Sequence, residues 1–339
     1  MALIQDLPPE LLKRVLELLS NSYYPGPARN LSNTSLVARA WRRLSQDLLI
    51  SAVVFNRSDT PRYTKRLRSV SSRTLDRADL DYSSAQKVLE LLTEAEATVR
   101  SLRIRATETN EVDLGIMRFE MLAGLHLLHI EGYAKGQPPI PSDATIELKT
   151  LSLSLKCLPP PAFPESLVRA APFLTRLSIV IAQKEAFPED YSTALHMLAL
   201  QLRHLEIHAD ASSTPTRPGT VDLHRFVASC ISLRSLELYY ATPVSIKTTL
   251  TAVRSSLVLL AIRLDEKWSK VADQRGIAEL VDLLKHPSLA ELKRWSIPAY
   301  NLPFGPLRIG RRARWEEACR ARGDEPRDER RFFIDYPAE

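Results

Sequence analysis

An apolar triplet recurs along the middle of the chain, with hydrophobic residues at relative places 1, 4 and 6. It reads Val99, Leu102, Ile104; Leu125, Leu128, Ile130; Leu148, Leu151, Leu153; Leu174, Leu177, Ile179; Leu202, Leu205, Ile207; Leu233, Leu236, Leu238; and Leu257, Leu260, Ile262. A degraded eighth copy is read at Leu289 and Leu292, with Arg294 in the sixth place. The central leucines are separated by 26, 23, 26, 28, 31, 24 and 32 residues. Strand side chains alternate with period two, so places 4 and 6 share one face, and place 1 turns the entering chain inward. Each triplet therefore predicts one short strand with a leucine face.

Between triplets the apolar spacing becomes helical, as in Thr193 to Leu200, Leu223 to Ile231, Ile246 to Val253 and Ile277 to Leu284. Proline or serine often precedes the triplet, as in Ala171-Pro172-Phe173-Leu174 and His286-Pro287-Ser288-Leu289. Each unit reads as helix, brief turn, strand. Because a helix returns the chain between strands, the strands should be parallel and the crossovers right-handed. No unit can bury its own leucines, so neighbours must stack.

Over residues 99 to 295 this pattern resembles the leucine-rich repeat family. Where that family carries Asn or Cys, three places after the sixth position, this chain has Thr107, Tyr133, Lys156, Ala182, Asp210, Ala241 and Asp265. With no asparagine ladder, the resemblance implies an irregular stack.

The amino terminus follows a different rule. Leu7-Pro8-Pro9-Glu10-Leu11-Leu12 opens a helix: prolines in a first turn sacrifice no hydrogen bond, and Glu10 suits the positive end of the dipole. Leu11, Leu12, Val15, Leu16, Leu18 and Leu19 form a wide apolar stripe. A second helix is predicted from about Ser35 to Leu49, with Leu36, Val37, Ala40, Trp41, Leu44 and Leu48 on one side and Arg39, Arg42, Arg43 and Asp47 on the other. Such a short segment makes a poor core alone, so it docks on the rest of the chain or is completed by a partner.

The Leu-Pro opening, with Ser35-Leu36-Val37-Ala38-Arg39-Ala40-Trp41-Arg42 as a second block, resembles the F-box. An F-box ahead of leucine-rich units is similar to the fungal F-box proteins. The resemblance implies a substrate-recognition adaptor of an SCF-type ubiquitin ligase, with the Skp adaptor and cullin core as partners. By position, Leu7, Pro8, Leu11, Leu12, Leu36, Val37 and Trp41 would meet the Skp adaptor.

The fold expected is α/β: a short all-α F-box-like module, then an irregular leucine-rich-repeat solenoid of parallel strands and helices. Four regions are expected: the module at 1–50, a linker with the solenoid's N-terminal unit at 51–98, the solenoid at 99–310, and a mixed-charge cap or tail at 311–339.

Composition narrows the chemistry. Only 10 of 339 residues are glycine whereas 53 are leucine, and neither Gly-X-Gly-X-X-Gly nor Gly-Lys-Ser/Thr occurs, which disfavours a phosphate-cradling loop. Cys157, Cys230 and Cys319 have no metal-ligand or disulfide-framework spacing, which fits a reducing compartment. Residues 1–20 lack an apolar signal core, and the longest apolar run, Leu257 to Ile262, has six residues, so neither secretion nor a membrane span is expected. The expected location is cytoplasmic and/or nuclear. His204 and His208 would share a face on a helix, but on a strand they stand about 13 Å apart and cannot clasp one metal ion. No catalytic motif appears, so no enzyme activity, cofactor or metal is expected.

The net charge of +6 invites a nucleic-acid reading, resting on seven Lys/Arg between Arg57 and Arg77. Without interleaved aromatics this stretch reads as a solvated linker, and nucleic acid is not the expected partner. A protein target is expected on the open sheet: Arg103, His129, Glu206 and Glu237 at fifth places, Tyr239 two places on, and Arg203 and Arg234 at second places. The second-place row, Arg100, His126, Lys149, Thr175, Arg203, Arg234 and Val258, has four permanent cations and no acid, which would suit an acidic or phosphorylated target. Two other readings stay open: a repeat scaffold without ligase recruitment, and a basic nucleic-acid binder.

Overall fold

The computed structural model of the chain describes residues 52–55, 74–81, 83–157, 162–181, 192–209, 223–241, 243–264, 285–296, 313, 316–323 and 325–326. The helices expected in 1–50 and at Ile277 to Leu284, and most of the basic stretch 57–77, lie outside these residues.

The fold is α/β, built on a parallel sheet. Its strands are β1 Ala52–Phe55, β2 Thr74–Leu80, β3 Thr98–Arg105, β4 Val112–Asp113, β5 Leu127–Lys135, β6 Thr150–Cys157, β7 Arg176–Ile181, β8 His204–Ala209, β9 Ser235–Ala241, β10 Leu259–Leu264, β11 Arg294–Ser296 and β12 Glu325–Pro326. Across the sheet they follow chain order, apart from the short β4, which sits beside β5. The helices are α1 Ala85–Glu94, α2 Phe119–Ala123, α3 Ala162–Ala170, α4 Ser192–Ala199, α5 Leu223–Ser229 and α6 Pro243–Ala252. Three of the four segments read as helical thus appear within a few residues of their expected bounds.

The triplets explain the sheet. Leu102, Leu128, Leu151, Leu177, Leu205, Leu236 and Leu260 occupy one rung of successive strands, and Ile104, Ile130, Leu153, Ile179, Ile207, Leu238 and Ile262 another. All fourteen are buried, as are the place-1 residues Val99, Leu125, Leu148, Leu174, Leu202, Leu233 and Leu257. They form one continuous core with the inward faces of the helices, such as Val88, Leu89 and Leu92 of α1 and Phe163 and Leu167 of α3. Each such side chain contributes roughly 1.5–3 kcal/mol on burial, so the stack is held chiefly by this seam. Neighbouring helices pack in the same order as their strands, α3 on α4, α4 on α5, and α5 on α6.

Backbone bonds continue this order before each strand begins. The carbonyl of Arg203 accepts from Arg234 N (2.8 Å) and Ser235 N (2.9 Å), and that of Thr175 accepts likewise from Arg203 N and His204 N. The same double acceptance by Val258 O from Lys293 N (2.9 Å) and Arg294 N (3.2 Å) fixes the frame of the eighth copy. Trp295, not Leu292, stands opposite Leu260. The eighth copy therefore begins at Leu292 with Trp295 in the central place, three places later than the leucine-only pattern reads, because the indole fills that place. Leu289 instead ends a short 3-10 turn, Pro287–Leu289, and is also buried.

The stack also begins earlier than residue 99. Leu75, Ala78 and Leu80 pair with Val99, Leu102 and Ile104, and Val53 and Phe55 pair with Ala78 and Leu80 in turn. At the far end, Cys319 in the helical stretch 316–322 joins the core, and Arg322 donates to the carbonyl of Leu289 at 2.6 Å.

Irregularity gathers near the C-terminal ends of the strands, where the asparagine ladder would lie. The register slips between Gly132 and Tyr133, and again between Arg263 and Leu264. Gly132 adopts φ +96, and a Cβ there would lie 1.8 Å from the carbonyl oxygen of Ala106. That bulge admits an excursion after β3, which returns as β4 to pair with Ala134 and Lys135.

Candidate functional site

Because strand places 4 and 6 face the core, places 3, 5 and 7 present the opposite face of the sheet. Its central row runs in register from Asp79 through Arg103, His129, Ser152, Ser178, Glu206 and Glu237 to Ala261. Of the residues expected to bind a target, Arg103 and His129 are neighbours toward one end, and Glu206 and Glu237 are neighbours toward the other. Two serines separate the pairs.

The first cluster is basic and self-paired. Arg77 donates to Asp79 through Nε (3.0 Å) and Nη2 (2.8 Å), so the half-exposed guanidinium is held flat beside a carboxylate that is nearly covered. Arg105 lies 3.5 Å from Glu131, and His129 Nδ1 bonds Ser152 Oγ at 2.8 Å. Burial, with the nearby Arg103 charge, holds the His129 imidazole below its ordinary value despite Glu131.

The second cluster is acidic and aromatic. His208 and Tyr239 stack with ring centroids 3.9 Å apart and planes 6° from parallel. Each ring serves the glutamate two places before it: His208 Nε2 lies 2.5 Å from Glu206 Oε1, and the Tyr239 hydroxyl donates to Glu237 Oε2 at 2.9 Å. Burial alone would raise the Glu206 carboxyl, but bonds from His208 and Ser178, aided by the Arg176 charge, bring it below its usual value. Tyr239 is only 8% exposed, so it orients Glu237 rather than offering its own surface.

His204, one strand pleat before Glu206, behaves differently. Its Nδ1 is buried without a partner, and burial together with Arg176 and Arg203 pushes its pKa down to about 4. His204 and His208 do lie on one extended strand, the arrangement that keeps them apart. Among the described residues, no group of three or more His, Cys, Asp or Glu side chains is placed to hold a metal ion. Cys230 is a free, buried thiol that burial pushes up to about 12.

The second-place row needs correction. It extends upstream to Asp76, opposite Arg100, and downstream to Lys293, so it is not free of acids. Arg100 pairs with Asp76 at 3.4 Å, His126 with Glu147 at 2.8 Å and Arg234 with Glu291 at 3.5 Å. The last two acids come from the connections between strands, which a row read only at second places omits. Arg203 and Lys149 remain exposed cations on it.

The proposed adaptor-binding residues Leu7, Pro8, Leu11, Leu12, Leu36, Val37 and Trp41 lie outside the described residues. Sequence reading missed Arg77, Asp79 and Arg176. The signal for the first two was the triplet Leu75, Ala78, Leu80, hidden by alanine in the central place. No family model matches the chain, and no curated protein matches it.

Proposed function

We propose that the chain is a non-catalytic substrate receptor of an SCF-type ubiquitin ligase, an F-box-like module joined to an irregular leucine-rich-repeat solenoid. The observation that carries the repeat half is the shared rung of seven central leucines on consecutive parallel strands. The module half rests on the Leu7-Pro8 opening and the Leu36-Val37-Ala38-Arg39-Ala40-Trp41-Arg42 block.

The mechanism is positional. In this reading the Skp adaptor covers Leu7, Pro8, Leu11, Leu12, Leu36, Val37 and Trp41, and these seven side chains contribute on the order of 10 kcal/mol before association costs. The open sheet holds the target. Ubiquitin transfer then accelerates because the target's effective concentration at the ligase rises, with no side chain of this chain entering the chemistry.

On that sheet, prearranged charge supports a target with complementary polarity: carboxylates toward Arg103 and cations toward Glu206 and Glu237. Holding the two glutamates with His208 and Tyr239 lowers the entropy lost on binding. The test is affinity capture with mass spectrometry on the full chain and on a Leu7→Ala/Pro8→Ala/Trp41→Ala variant. Adaptor and cullin peptides vanish from the variant while target peptides remain; adaptor peptides absent from both, or equal in both, refute the proposal.

A further inference from the structure

We propose that the edge where helices α3, α4 and α5 turn into strands β7, β8 and β9 is a docking site for an acidic amphipathic α-helix of a partner protein. The inference stands whether or not residues 1–50 recruit a ligase.

Four large apolar side chains are exposed among the described residues, and all belong to this edge: Phe173 (56%), Met197 (38%), Leu200 (61%) and Ile231 (61%). Leu200 and Ile231 hold equivalent places, two residues before the place-1 leucines Leu202 and Leu233, and Phe173 directly precedes Leu174. Those three leucines are fully buried, so the core is complete without the outer row. The turns that carry the row are tied to one another. Gln201 Nε2 donates to Ala171 O at 3.3 Å, and Ser232 Oγ donates to Leu200 O at 3.2 Å. Met197, on α4, precedes Leu200 by three residues, and Leu200 lies in the turn just past the helix.

The spacing selects the occupant. Adjacent parallel strands repeat every ~4.8 Å, so three units set an apolar row about 10 Å long. One turn of α-helix rises about 5.4 Å, so residues at i, i+4 and i+7 of a helix lying along the stack meet the three units in turn. An exposed apolar row rimmed by polar residues fits an interaction site.

Charge fixes the partner's sign. Arg203 and Arg234 are exposed three residues beyond Leu200 and Ile231, and Lys149 continues their row. Arg234 shares Glu291 at 3.5 Å, but both groups are more than half exposed, so that pair yields readily to another carboxylate. A helix with a leucine stripe flanked by glutamates matches both the row and its cationic border.

The test uses the full chain and fluorescein-labelled helical peptides of about five turns, with leucine or phenylalanine at i, i+4, i+7 and i+11 and glutamate on the flanks. Fluorescence anisotropy should give a saturable Kd of tens of micromolar for at least one peptide, and none for its scrambled form. Leu200→Glu and Ile231→Glu should each weaken binding about tenfold or more, and Arg203→Glu should weaken it and flatten its salt dependence, with melting temperatures unchanged. The proposal is overturned if no patterned peptide binds, if scrambled peptides bind equally, or if the folded variants bind like the parent. It is equally overturned if these residues instead mediate binding to phosphatidylcholine–phosphatidylserine vesicles, or self-association seen by sedimentation.

Discussion

Leu260 and Trp295 stand opposite one another on adjacent parallel strands, and Trp295 is fully buried with an indole N–H that finds no acceptor. The ring therefore acts as bulk: it continues the leucine seam where the chain supplies no leucine. Trp295→Ala should cost about 3–5 kcal/mol in denaturant unfolding, the usual loss for a buried large aromatic. Trp295→Phe should retain most of that stability, because removing an unsatisfied donor offsets part of the lost volume. Equal losses in the two variants would contradict the reading of the ring as bulk.

A sharper backbone test lies at the bulge. Gly132 has φ +96, and a Cβ there would strike Ala106 O at 1.8 Å, whereas a Cβ at Gly124 would meet nothing closer than Thr98 Cβ at 3.9 Å. Gly132→Ala should destabilise by more than about 2 kcal/mol, and Gly124→Ala by less than about 0.5 kcal/mol in either direction. Similar melting temperatures for the two variants would contradict the bulge.

Glu96 offers a change in the opposite direction. It follows α1 with φ 50, in a helix stop where Ala97 N bonds Leu92 O at 2.9 Å, a place that favours glycine. Its ion pair with Arg118 at 3.5 Å is largely exposed and contributes only tenths of a kcal/mol. The left-handed backbone costs about 1 kcal/mol, so relief should win, and Glu96→Gly should raise stability by about 0.5 kcal/mol. A lower midpoint on urea unfolding would contradict this.

Acid should weaken the fold in two stages. His204 has its pKa lowered from 6.5 to about 4 in the folded chain, so the unfolded state binds the proton first and stability falls as pH drops through that interval. His129, also lowered, acts in the same direction. Glu206 is depressed, so its contribution persists above its unfolded value of about 4.5 and is lost only at lower pH. Unfolding midpoints of His129→Gln/His204→Gln should therefore change less between pH 7 and pH 5 than those of the parent. An unaltered slope would place the acid sensitivity elsewhere.

Much of the sheet is legible in the sequence because one physical rule, burial of alternate side chains, writes itself at regular intervals. That rule fails where a different residue does the same work: Trp295 and Ala78 fill central places, and a search for leucine passes over both. The face opposite the core is less legible. That Arg103 neighbours His129, or Glu206 neighbours Glu237, follows from the register. The burial of Tyr239 depends on stacking with His208 across a strand pair, and the pairing of Arg234 depends on Glu291, 57 residues away in the chain. Neither contact leaves a periodic trace.

We propose above all that the F-box-like segment expected at 1–50 is completed by a foreign subunit, and titration calorimetry of the full chain with purified Skp adaptor tests this most directly. One-to-one binding with a Kd of about 1 μM or tighter is expected, weakened about a hundredfold by Trp41→Ala if Trp41 is the interface's aromatic anchor. A flat titration, or binding indifferent to Leu7, Pro8 and Trp41, would contradict the account.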